Sequence, residues 1–178
     1  MSKLLGLPAW AYAAALSQLD GMTPKKLRIA LLHEEPEEAW ARAICDSAIT
    51  DEAVARICER CEQENIEVVY IGDLNYPRTL RYDPTPPAVV FYRGSLSALQ
   101  QRRVGIVGTR SPTPSGVYTA REFGEQLAAN EIAVVSGLAR GIDGAVHHGM
   151  KLHYEEVAHV GHGALGKPIG VVACGLDV

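Results

Sequence analysis

The chain has 178 residues, 47% of them hydrophobic and 21% charged, enough for one sizeable core or two small domains. Its 17 Lys+Arg against 21 Asp+Glu give a net charge of −4, so no whole-molecule attraction to nucleic acid is expected and any such site must be a local patch. The stretch from Met1 to Pro8 carries one positive charge and the apolar run after it is interrupted; neither a secretory signal nor a membrane span is expected, which leaves the cytoplasm as the expected location.

The first 65 residues read as helical. Apolar residues from Leu7 to Leu19 recur at helical spacing, and Asp20-Gly21-Met22-Thr23-Pro24 breaks the pattern. Thr23 suits an N-cap and Pro24 a first helical position, opening a second helix through about Leu32. A third is predicted from Glu35-Pro36 to about Asp46, and a fourth from Asp51, the expected cap, to about Asn65. Cys58 and Cys61 fall on one face of that fourth helix. No second pair follows at zinc-finger spacing, so packed, reduced cysteines are expected rather than a metal.

From Ile66 the period changes. Ile66 to Ile71 reads as a strand, Gly72-Asp73 as a turn, and the proline-rich stretch from Tyr76 to Pro87 as irregular. Ala88 to Tyr92 is a second strand and Ser95 to Arg102 a short helix. A regular alternation follows: strand Val104 to Val107, helix Ser115 to Asn130, strand Ile132 to Val135, turn Ser136 to Gly141, a further helix, and strand Ile169 to Ala173. Strands alternating with helices predict an α/β domain with a parallel sheet of Rossmann type. The expected division is therefore 1–65 and 66–178.

Three glycine-bearing turns follow strands, and a doubly wound sheet gathers such turns outside the carboxyl ends of its strands, where ligands bind. In the first, Gly108 permits close backbone approach, Thr109 offers a hydroxyl and Arg110 a charged planar fork suited to phosphate. In the second, Ser136 to Asp143, glycine amides beside a helix start form an anion cradle, and Arg140 adds a second cation. The third is Cys174-Gly175-Leu176-Asp177. A single such turn is as often structural as functional; two with an arginine point to anion binding. Neither the dinucleotide nor the nucleoside triphosphate fingerprint is present, and no cofactor is expected. Asp143 is expected to cap the helix after it. No nucleophile, base and orienter can be assembled from spacing, so no enzymatic activity is expected.

Taken together, Val104 to Arg110 (VGIVGTR), Ser115-Gly116, Ser136 to Asp143 (SGLARGID) and Gly175-Leu-Asp177 resemble the signature of the DNA processing protein A (DprA/Smf) family. Asn75 to Arg81, Pro86-Pro87 and Val90 to Gly94 resemble its lead-in to the sheet. Asp20 to Lys26 resembles the turn of its sterile-alpha-motif-like helical domain. The resemblance implies a small helical domain followed by an extended Rossmann-like sheet. It implies a protein of bacterial natural transformation that binds and protects single-stranded DNA and helps load the RecA recombinase, with a homodimer in the full-length form. By the same resemblance Arg110 would clamp a phosphate, Gly108 and Thr109 would shape its approach, and Ser136, Gly137, Ala139, Arg140 and Gly141 would line the pocket.

Two features depart from the family pattern. The family continues past Leu-Asp with a Tyr-Pro and a nearby basic residue, so a C-terminally truncated sheet with an unpaired edge is expected. The segment from Gly144 to Lys167 is longer by roughly one helix, and either His147 or His159 could be the motif histidine. His147, His148, His153, His159 and His162 crowd this segment, and a solvated insertion is expected there rather than a metal site. The alternative is a nucleotide-derived small-ligand sensor or hydrolase of the lysine-decarboxylase-like Rossmann group; against it stands the absence of that group's Pro-Gly-Gly-x-Gly-Thr run.

Overall fold

A computed structural model describes residues 6–45, 48–158 and 165–176. The chain forms two compact units that divide at Gly94.

The first unit is built on helix α1, Ala9–Leu16, whose residues from Ala11 to Leu16 are all buried. A helix this apolar on every side must be surrounded. Around it pack α3, Pro36–Ile44, and α4, Glu52–Gln63, while α2, Pro24–His33, packs on α3. Thr23 caps α2 by accepting the Lys26 amide, with Pro24 in the first turn. Asp51 does not cap α4 with its side chain. Its carboxylate instead accepts the Trp40 indole N–H at 2.8 Å, giving the buried indole the partner that its N–H needs. Cys58 and Cys61 are buried on α4.

Strands β1, Glu67–Tyr70, and β2, Val89–Tyr92, pair antiparallel as a two-stranded ladder of their own. They do not join the parallel sheet, and β1 packs on α1. The predicted break after residue 65 follows the change in sequence period, whereas the packing places this ladder with the helices. Within the proline-rich link, Arg78–Arg81 forms a single helical turn, α5.

The second unit opens with a 3-10 turn, Leu96–Gln100. Strands β3, Arg103–Gly105, β4, Ala133–Ser136, and β5, Pro168–Gly170, then form a parallel sheet in the order β3-β4-β5. Helix α6, Pro114–Ala129, crosses from β3 to β4, and α7, Ile142–Val157, from β4 towards β5. The two helices pack closely because glycines let their backbones meet. Gly124 lies against the Val146 carbonyl and Gly149 against that of Arg121. Ala128, Val134, Val146 and Met150 form the core between helices and sheet. The histidine-rich segment expected to be a solvated insertion is, as far as Val157, part of α7; His159 and His162 lie outside the described residues. β3 has no partner on its far side among the described residues. Beside it runs a groove of about 850 Å³ lined by Val104, Ile106, Phe123, Leu127 and Ile132.

Candidate anion site at the carboxyl edge of the sheet

The turns after β3 and β4 interlock. Gly141 has φ +97°, a conformation that suits glycine. A Cβ there would collide with the Thr109 carbonyl and lie 2.8 Å from Arg110 Cα. A Cβ on Gly108 would lie 2.6 Å from that of Ile142. The sequence-predicted turns are thus brought together, with Arg110 next to the Arg140-Gly141 backbone. The third turn lies partly outside the described residues, since Asp177 is not among them.

Asp143 holds the two turns together. It is only 4% exposed and is the second residue of α7, where it makes no capping bond. Its Oδ1 accepts the Gly108 amide at 3.0 Å and its Oδ2 the Gly137 amide at 3.1 Å. Two expectations change as a result. Asp143 is a clasp between strands rather than a helix cap, and the Gly108 and Gly137 amides are already committed to it.

Other polar groups brace the turns from within. Thr109 Oγ1 accepts the Ser111 amide at 3.1 Å, and the Thr109 carbonyl accepts the Ile142 amide at 3.2 Å. Ser136, 4% exposed, has its carbonyl bonded by the Val171 amide at 2.8 Å. Its Oγ accepts the Leu138 amide at 3.0 Å and lies 2.8 Å from His147 Nε2. Burial pushes the His147 imidazole below its ordinary value, while the Asp143 charge opposes the shift.

What remains open is cationic. The amides of Thr109, Arg110, Ala139, Arg140 and Gly141 have no hydrogen-bond partner among the described residues. The exposed guanidinium groups of Arg110 and Arg140 make no ion pair or hydrogen bond with another described residue. The 16-residue helix α7 starts at this edge, where its dipole favours an anion. Among the described residues no three His, Cys, Asp or Glu side chains gather as a metal site. The Asp143 clasp and the Ser136–His147 contact are what sequence spacing did not assign. Their contacts depend on how neighbouring strands stack, which a linear spacing does not encode.

Residues 67–178 match the sequence model of the family DNA recombination-mediator protein A. Protein Smf of Synechocystis sp. is 33% identical over 175 residues, covering 86% of this chain and 44% of that protein. DNA processing protein DprA of Bacillus subtilis is 30% identical over 160 residues, covering 89% of this chain and 46% of that one. The chain therefore spans less than half the length of these two relatives. The X-ray structure of DprA from Streptococcus pneumoniae shares the fold, with a TM-score of 0.53 at 23% identity over 97% of this chain and 56% of that one.

Proposed function

The chain belongs to the DNA recombination-mediator protein A family, and from that premise we propose that it binds the phosphate backbone of single-stranded DNA at the interlocked turns. The observation that carries this reading is the pairing of two exposed arginines, Arg110 and Arg140, with the open amides of Thr109, Arg110, Ala139, Arg140 and Gly141. Guanidinium and amide donors fit phosphate oxygens and read no base sequence. With a net charge of −4, attraction to DNA has to be local, and this edge supplies it. In the whole protein the binding would protect incoming strands during natural transformation and present them to the RecA recombinase, with homodimerisation in the full-length form.

The role is non-catalytic. Ser136 and His147 are within hydrogen-bonding distance, yet Ser136 is buried and both Asp143 oxygens bond glycine amides. That leaves the pair without a carboxylate orienter, which favours bracing over nucleophilic catalysis. Fluorescence anisotropy with a labelled oligonucleotide tests the proposal. Arg110→Ala should weaken binding and lower the salt slope by about one phosphate contact. Unchanged affinity and slope, in this chain and in a full-length relative carrying the matching change, would reject the site.

A further inference from the structure

The turn after β4 is held in an unfavourable shape. Leu138 has φ +53°, in the left-handed region that a residue with a side chain enters only when its surroundings impose it. The Ser136 hydroxyl oxygen accepts the Leu138 amide at 3.0 Å and so fixes the peptide plane between Gly137 and Leu138 that leads into this residue. A hydroxyl has one proton to give as well as lone pairs to accept. Ser136 is 4% exposed, so its proton needs an acceptor inside the fold. His147 Nε2, at 2.8 Å, is placed to be that acceptor.

This arrangement selects one form of the imidazole. If Nε2 carried the proton and donated to Ser136, the buried hydroxyl proton would have no acceptor among the described residues. The satisfied arrangement has Nε2 bare and Nδ1 protonated. Burial of the ring favours a neutral form in any case.

We infer that His147, as its neutral Nδ1–H tautomer, is a positioning residue for the anion site: it accepts the Ser136 hydroxyl and so holds the Gly137–Leu138 peptide, from which the backbone carrying the Ala139, Arg140 and Gly141 amides continues. The inference rests on the reading of that edge as an anion site. His147 touches no ligand in this scheme; it acts through Ser136.

The test uses the full 178-residue chain. Long-range proton–nitrogen spectra of the 15N-labelled protein report the His147 tautomer, and anisotropy with a labelled oligothymidylate reports affinity. His147→Leu fills the space without an acceptor, whereas His147→Gln returns an acceptor oxygen near the place of Nε2. The expected results are an Nδ1–H tautomer, binding about fivefold to tenfold weaker in His147→Leu, and recovery to within about threefold in His147→Gln, the scale of one lost hydrogen bond. Ser136→Ala should weaken binding as much as His147→Leu, and the double variant should be no weaker than either, because the two act in one chain of contacts. Where His147→Leu does not fold, the tautomer and Ser136→Ala carry the test. An Nε2–H tautomer overturns the inference whatever the DNA result. Additive losses overturn it too. If Arg110→Ala weakens binding and His147→Leu and Ser136→Ala do not, the positioning role falls while the site stands. If all three bind like the parent, here and as the matching changes in a full-length relative, the site itself is wrong and the role falls with it.

Discussion

Removing the Asp143 carboxylate should loosen the second unit more than any exposed substitution in it. The carboxylate accepts the Gly108 amide at 3.0 Å and the Gly137 amide at 3.1 Å, and hydrogen bonds to a charged group contribute roughly 1.5–3 kcal/mol each. The acceptor is buried, but both glycines are exposed, so water recovers part of the loss once the carboxylate is gone. Asp143→Ala should therefore cost about 2–3 kcal/mol rather than the full sum. Asp143→Asn keeps one acceptor and turns an amide NH2 towards the other glycine N–H, for a cost of about 1–2 kcal/mol. For a unit of this size, 2 kcal/mol lowers the melting temperature by roughly 8–16 °C. The assay is urea unfolding followed through backbone amide signals of β3, α6, β4 and α7. Trp10 and Trp40 both lie in the first unit, so their fluorescence would report on that unit instead. If both variants unfold within about 0.5 kcal/mol of the parent, the scatter expected of an ordinary surface change, and the Gly108 and Gly137 amide shifts stay in place, the clasp is not an energetic feature of the fold.

Gly149→Ala should destabilise the second unit by about 1–3 kcal/mol, the scale of overpacking, because its Cβ would collide with the Arg121 carbonyl of α6; thermal unfolding checks it, and an unchanged midpoint would mean that the helices part freely. Because the folded His147 imidazole lies below its ordinary 6.5, the unfolded chain takes up the proton first. This group's contribution is then full above that value and lost as pH falls through the folded one. The urea midpoint should fall between about pH 7.5 and 5, and the fall should shrink in His147→Gln. The Tyr92 phenol is pushed up to about 12, by burial first and then by its hydrogen bond to Glu67. Absorbance titration should find it ionising well after an exposed phenol, and Glu67→Gln should bring it down.

The alternation of strand, glycine turn and helix was legible from residue 104 onward because it rests on local signals. The run from Ile132 to Val135 reads as a strand and overlaps β4, Ala133–Ser136, shifted by one residue, and the turns at Gly108 and Gly141 follow from backbone geometry. Pairing was not legible. A short apolar run such as Ile66 to Ile71 reads the same whether it joins a parallel sheet or, as here, an antiparallel ladder packed on α1. Period alone carries no partner. The histidine-rich part of α7 was hard to read for a related reason. Gly149 weakens a helix on propensity, and only the facing Arg121 backbone explains why a glycine belongs there.

The glycine turns predicted an anion cradle, and under the proposed reading its donors would differ from the amides first expected. Backbone amides can serve a ligand only if the fold does not already use them. Gly108 and Gly137 are spent on Asp143, and Leu138 on Ser136. The amides left for the proposed ligand are those of Thr109-Arg110 and Ala139-Arg140-Gly141, which have no acceptor among the described residues. The same step separates the charges. The Asp143 carboxylate is buried with each oxygen bonded to an amide, while Arg110 and Arg140 are exposed. A phosphate approaching from solvent thus meets the cations first, and the residues that fix the turns are not the residues that would contact the ligand. Substitutions should sort accordingly: Asp143, Ser136 and His147 through the shape of the turns, Arg110 and Arg140 through salt-dependent affinity.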